Sequence, residues 1–186
     1  MIATVYAINS VGAFGNYDGS LPWPKNSEDL MRFSEITKNI GSVLMGKSTY
    51  KSLVARKENQ LDIHLPLPER NAIILTSELP CGTKLEFGEV VSYKVDGKEV
   101  HFICHETTTA IKLAEKFFGN VAVIGGSSII AEALPLTDQL YLTVLDSNEQ
   151  ADIMVDFEVP IHLQLAYFER LRNGTGKTFH YIEGLL

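Results

Sequence analysis

An α/β fold with a mixed, mainly parallel central sheet, flanking helices and a C-terminal antiparallel hairpin is what this sequence predicts. Three observations carry it. Apolar runs of strand length alternate with amphipathic stretches of helix length, the pattern of strands joined by helical crossovers. Two of those runs end in glycine turns, Gly46-Lys47-Ser48-Thr49 and Gly125-Gly126-Ser127-Ser128, each opening a further helix. The chain closes with two strand-like segments, 162–171 and 177–182, around Asn173-Gly174-Thr175-Gly176.

The elements follow in order. Residues 2–8 form an apolar run that suits a buried strand. Residues 27–38 are amphipathic, with Leu30, Phe33 and Ile36 on one side. Residues 42–45 are a short strand, and a helix follows through Leu53. Residues 71–75 read as another buried strand. The stretch 89–104, broken at Asp96-Gly97, reads as a hairpin with a type I′ turn. Residues 107–118 put Ala110, Leu113, Ala114 and Phe117 on one helical stripe, which is read as core. Residues 121–124 and 139–145 are strands, with a short helix between them ending near Leu134-Pro135. Right-handed crossovers between these strands make the sheet largely parallel.

The chain is expected to be one domain, 1–186, with 45% hydrophobic and 21% charged residues. A net charge of −7 excludes nonspecific nucleic-acid binding and attraction to anionic membranes, though not a local basic pocket. The first ten residues do not make a secretion signal, and no apolar run approaches membrane-spanning length. Cys81 and Cys104 lack framework spacing, so reduced thiols and a cytoplasmic location are expected. His101, Cys104 and His105 lack a second ligand pair, and no metal is expected.

The chemistry centres on Asp29, six residues after Trp23, the one tryptophan. It falls in the first turn of a helix, with Leu30 and Phe33 beside it. A carboxylate held against apolar surface resists ionisation and can donate a proton near neutral pH. Asn26 followed by Asp29 also resembles a capping box, and on these residues alone the cap is the stronger reading. Each glycine turn presents backbone N–H groups at a helix start, and neither matches the Rossmann or Walker pattern. As a pair they suit a ligand with two phosphate groups across the ends of a parallel sheet.

In chain order stand the opening strand, Gly15, Leu21-Pro22-Trp23, Asp29-Leu30-x-x-Phe33 and the run from Val43 through Gly46-Lys47-Ser48-Thr49-Tyr50 to Leu53. Leu65-Pro66-Leu67-Pro68-x-Arg70-Asn71, Val123-Ile124-Gly125-Gly126, Leu140-Tyr141-Leu142-Thr143 and Asp152 complete the series. This ordered set, spread over most of the chain, resembles the dihydrofolate reductase family. The resemblance turns the reading of Asp29 from cap to proton donor, with the cap role compatible.

The resemblance implies hydride transfer from NADPH to C6 of dihydrofolate and a proton to N5. It implies that Asp29, Trp23 and Thr143 serve catalysis. Val5, Ala7, Leu30, Phe33, Leu53, Leu67 and Ile124 would line the substrate, and Arg70 would grip its glutamate carboxylate. On the residues alone Arg70 reads as a surface ion pair. Ala7, Phe14, Gly15, Leu21, Gly46, Lys47, Ser48, Thr49, Thr76, Ser77, Ile124, Gly125, Gly126, Ser127, Ser128 and Ile130 would meet NADPH. Lys47 and Ser77 would approach its 2′-phosphate. The family also implies a cis Gly125–Gly126 peptide and a mobile loop over residues 12–21. A monomer with no nucleic-acid or membrane partner is expected.

The chain departs from the family pattern in places. Ile130 replaces a frequent tyrosine, Tyr6 replaces a small residue and Ser128 replaces an arginine of some relatives. Tyr6 is expected to turn away from Val5 and Ala7. The stretches 54–64 and 80–104 are longer than in compact bacterial relatives. Two rival functions share the architecture: reduction of the pyrimidine intermediate of riboflavin synthesis, and noncatalytic folate or nucleotide binding. Asp29 and Arg70 count against the first, and the Asp29–Thr143 pair against the second.

Overall fold

The computed structural model describes residues 1–55, 57 and 59–184. The elements run β1 (Ile2–Asn9), β2 (Ala13–Gly15), α1 (Ser27–Ile40), β3 (Ser42–Gly46), α2 (Lys47–Val54), β4 (Asn71–Leu75), β5 (Val90–Val95) and β6 (Lys98–Ile103). They continue α3 (Thr107–Phe118), β7 (Val121–Gly125), α4 (Ser127–Ala133), a 3₁₀ turn (Leu134–Leu136), β8 (Gln139–Leu145), β9 (Ile153–Met154), β10 (Leu163–Arg170) and β11 (Gly176–Glu183). Among the described residues the main sheet has the order β10-β11-β8-β1-β7-β3-β4-β6-β5. Its centre, from β8 through β6, is parallel.

Both edges are antiparallel. The β10–β11 hairpin pairs onto β8, and β5 pairs onto β6 at the far side. The β5–β6 turn has positive φ at Asp96 (50°) and Gly97 (77°), as a type I′ turn requires. A second sheet of β2 and β9 was not foreseen. Strands of three and two residues are too short to carry a period.

The helices start and stop where local chemistry dictates. Asn26 Oδ1 accepts the Asp29 N–H at 3.1 Å, capping α1. Gly41 closes that helix in the left-handed region (φ 89°), its N–H reaching Thr37 O at 3.0 Å. Helices α1 and α2 cover one sheet face, where Val5, Val43, Met45, Ile74 and Phe102 pack with Phe33, Ile36, Tyr50 and Val54. Helices α3 and α4 cover the other, where Leu44, Ile73 and Val123 meet Ala110, Ile111, Ala114 and Ile129. Burying each such aliphatic or aromatic side chain contributes roughly 1.5–3 kcal/mol. Phe117 departs from its expected core stripe: it is 43% exposed and stacks on His101, with ring centroids 5.1 Å apart. Ile111 takes the buried position instead.

The longer stretches are built onto the body. The Tyr50 hydroxyl donates to His64 O at 3.1 Å and accepts the His64 N–H at 3.0 Å, so the segment after α2 is pinned to that helix. Arg56 and Glu58, expected in an exposed loop there, lie outside the described residues. Much of 80–104 is the β5–β6 edge hairpin.

Candidate active site

Strand alternation places Val5 and Ala7 of β1, Ile124 of β7, and Tyr141 and Thr143 of β8 on the sheet face beneath α1. Asp29 sits over this face, half-buried in the first turn of α1. Burial raises its carboxyl above the usual carboxylate range, while the Thr143 hydroxyl and the Arg32 guanidinium work the other way. Trp23 is buried against Ala7, Leu145 and Leu171. The helix start is tethered to the β10–β11 turn. The Glu28 carboxylate accepts the N–H groups of Arg172 (2.8 Å) and Asn173 (3.2 Å), and Asn26 Nδ2 donates to Thr175 Oγ1 at 2.6 Å. Asp29 therefore stands on an anchored turn. Phe33 and Leu67 are both partly buried and pack against the core on this side of the sheet. Leu30 and Leu53 are 41% and 36% exposed.

The raised carboxyl has a consequence for stability. The folded state holds the Asp29 proton to a higher pH than the unfolded chain does. Stability at this site is therefore lost as pH rises from the unfolded titration range through the folded one. Asp29→Asn is expected to melt above the parent protein at neutral pH, and the difference should shrink in acid below the ordinary carboxylate range. Thermal melts of both proteins across pH check this, and a lower melting temperature for the variant at neutral pH would count against it.

The two glycine turns come together because β3 and β7 are neighbours, with Met45 opposite Gly125. A Cβ on Gly46 would lie 2.9 Å from Ile129 Cδ1 and 3.8 Å from Gly126 N, and one on Gly125 would lie 3.1 Å from Thr49 Oγ1. Gly125 also holds φ at 145°, which side-chain-bearing residues rarely adopt. The Gly125–Gly126 peptide is cis. Backbone groups at the starts of α2 and α4 are thus left bare of side chains on adjoining strands, the arrangement a phosphate-bearing group needs. Ser127 is partly buried, and Ser77 and Ser128 are exposed. Lys47 is ion-paired to Glu78, whose N–H donates to the buried Thr76 hydroxyl at 3.1 Å.

Two expectations change, and one contact is new. Arg70 is not exposed, and among the described residues it has no ion pair: it is 3% exposed and bonded to neutral oxygens of Ser34, Thr37 and Pro68. It joins the loop before β4 to α1. Ile130 is fully buried among Tyr6, Leu134, Leu140 and Leu142, so it stands in the core rather than open to the cleft. Glu78, not foreseen at all, shares the lysine expected at the cofactor. Tyr6 does turn away from Val5 and Ala7, into that same cluster, where burial and the nearby Tyr181 push its hydroxyl up to about 12.

The 12–21 segment is attached at both ends. Phe14 and Gly15 belong to β2, which pairs with β9. Asp152 Oδ2 accepts the Tyr17 N–H at 3.0 Å, and Ser52 Oγ donates to Gly19 O at 3.2 Å. Leu21 is 53% exposed. Arg32 was also missed. It lies three residues after Asp29 and shares its surroundings with Tyr141, Tyr167 and Glu169. Its helical spacing from Asp29 was the available signal, but its neighbours come from distant strands. A cavity of about 130 Å³ lies beneath α2 against Tyr50, Ile74 and Phe102, and one of about 380 Å³ lies beside Trp23; Asp29 lines neither.

A parallel sheet covered on both faces, two facing glycine turns and a desolvated carboxyl over the sheet ends define a nucleotide-dependent α/β enzyme class. The dihydrofolate reductase family profile matches residues 1–161. The chain is 27% identical over 174 residues to the type 3 dihydrofolate reductase of Salmonella typhimurium, covering 93% of this chain and 85% of that protein. It is 25% identical over 156 residues to the type 9 dihydrofolate reductase of Escherichia coli, covering 83% and 76%. The solved structure of Enterococcus faecalis dihydrofolate reductase, complexed with NADP(H) and RAB-propyl, superposes with a TM-score of 0.70 at 22% identity, covering 100% of this chain and 97% of that one. The chain belongs to the dihydrofolate reductase family.

Proposed function

We infer that Asp29 drives the protonation half of the reaction that defines this family, the NADPH-dependent reduction of 7,8-dihydrofolate to tetrahydrofolate. The chain is an oxidoreductase of that kind. The observation carrying the residue assignment is a carboxyl raised by burial over the face formed by Ala7, Ile124 and Thr143. NADPH, when bound, supplies the hydride that goes to C6. Asp29 supplies the proton for N5 and takes its replacement from solvent. Trp23 and Ala7 support the wall beside it. Phe33, Leu30, Leu53 and Leu67 receive the pterin and benzoyl rings, and the 12–21 segment excludes water.

The bare backbone of Gly46 and Gly125–Gly126 fits the cofactor's phosphates, with Ser48, Thr49, Ser127 and Ser128 as hydroxyl partners. Lys47 and Ser77 hold the 2′-phosphate. Glu78 competes with that phosphate for Lys47. Glu78→Gln should therefore tighten NADPH by about tenfold and leave NADH nearly unchanged, since one charge-assisted contact is worth roughly 1.5–3 kcal/mol. Lys47→Ala should weaken NADPH alone. Quenching of Trp23 fluorescence on titration with each cofactor measures both, and equal changes for NADPH and NADH would move Lys47 to the shared pyrophosphate.

The reaction itself is tested by NADPH oxidation with dihydrofolate as acceptor. Turnover of the riboflavin pyrimidine in its place, or binding without turnover, would establish one of the rival functions. Among the described residues no helix is long and apolar enough to cross a membrane. The acidic surface and reduced cysteines support a cytoplasmic monomer acting on small molecules, which sedimentation of the purified protein would check.

A further inference from the structure

Among the described residues, Thr178 Oγ1 is the one buried side-chain polar atom without a hydrogen-bond partner. Thr178 is fully buried. It stands on β11 directly opposite Thr143 of β8. Residues facing each other across an antiparallel pair project to the same side of the sheet, with Cβ atoms about 4.5–5.5 Å apart. Thr178 therefore faces α1 beside the threonine that adjoins Asp29. Cross-strand register continues the row as Ala7, Thr143, Thr178 and Glu169, from the cleft to the sheet edge.

A hydroxyl with no partner in a fully buried position is costly, and native interiors satisfy such groups with protein or with ordered water. The two hydroxyls stand side by side without a direct bond, since Thr178 Oγ1 has no partner, and neighbours in a cross-strand pair are well placed to share one water. The Asp29 carboxyl above them supplies a third polar partner, within the two to four that a buried water requires. We propose that Thr178 is a positioning residue for the proton donor: with Thr143, it holds one buried water against the Asp29 carboxyl. The proposal rests on Asp29 being that donor. The water donates to the carboxylate, keeps its charged form accessible and fixes its orientation between proton deliveries.

The ionisable groups around this point come from every element that packs there. They are Asp29 and Arg32 on α1, Tyr141 on β8, His180 on β11, and Tyr167 and Glu169 on β10. Tyr141 and His180 stack at 4.2 Å in the adjacent row, and Tyr167 donates to Glu169 at 2.6 Å. None of these contacts involves Thr178, so removing its hydroxyl leaves the charges in place.

The test is Thr178→Val, which preserves shape and deletes the hydroxyl. The Asp29 carboxyl is titrated by carbon-13 NMR in the ligand-free protein, and kcat is measured against pH. The titration midpoint should rise by about 0.5–1 pH unit, the size of one neutral hydrogen bond. The pH profile of kcat should move in the same direction, and Thr178→Ser should restore both. Thr178→Ala, which deletes the hydroxyl without adding bulk, gives the same readings if the valine variant is too unstable to titrate. A changed melting temperature with an unmoved Asp29 midpoint would make Thr178 a packing residue and overturn the proposal. Full neutral activity in Asp29→Asn would instead remove the donor assignment on which it rests.

Discussion

Asp29→Asn is expected to fold and to lose dihydrofolate reduction at neutral pH by on the order of 10²–10⁴-fold, the usual contribution of a positioned general acid. Part of the rate should return in acid, where solvent protonates the substrate. The carboxyl is raised by burial against the sheet face, and it is opposed by only one hydroxyl, Thr143, and one partly buried guanidinium, Arg32. Asparagine keeps the shape and removes the transferable proton. It also keeps the cap, because the N-cap bond runs from the Asp29 main-chain N–H to Asn26 Oδ1 and does not use the Asp29 side chain. Catalytic and capping roles separate cleanly for this reason. The measurement is kcat for NADPH oxidation from acid to alkaline pH. A variant that turns over at the parent rate throughout would end the assignment of Asp29 as donor.

The separation of cap and acid also shows what sequence could and could not tell. Asn26 and Asp96-Gly97 act through their own backbone neighbours, so the helix start and the β5–β6 turn were legible from local pattern. The glycine turns were legible as a pair, because strand-to-helix turns on a parallel sheet converge at one end. The short β2–β9 pairing was not legible, since it joins segments over 130 residues apart with no period of their own. The polarity around Asp29 was half legible. Its position in the first turn and its nearness to Arg32 follow from spacing, whereas Thr178 and Glu169 become its surroundings only through the register of β8, β11 and β10. Glu78 escaped notice because nothing in Thr76-Ser77-Glu78 shows that the start of α2 lies against it.

Arg70 is where structure most changes the expected experiment. Its Nε donates to Thr37 Oγ1 at 3.1 Å, Nη1 to Pro68 O at 2.7 Å, and Nη2 to Ser34 O at 2.9 Å and Ser34 Oγ at 3.0 Å. Of five N–H groups, one on Nη1 has no acceptor among the described residues, and that one is what the substrate glutamate would take. Burial lowers the guanidinium pKa, with Glu69 acting the other way, so a carboxylate arriving beside it would meet a desolvated charge. Arg70→Leu should consequently do two things at once. It takes away the Arg70 donor from Pro68 O, from Ser34 O and Oγ and from Thr37 Oγ1, costing about 3 kcal/mol or more, or roughly 6–12 °C in melting temperature for a chain of this size. It also removes the charge-assisted contact and should weaken dihydrofolate about tenfold to a hundredfold, with NADPH much less affected. Arg70→Lys keeps a charge without the fork and should fall between. Thermal melts and fluorescence titrations of Trp23 with each ligand resolve the two effects. Loss of melting temperature with dihydrofolate and NADPH weakened alike would make Arg70 a staple between α1 and the 65–70 loop and nothing more.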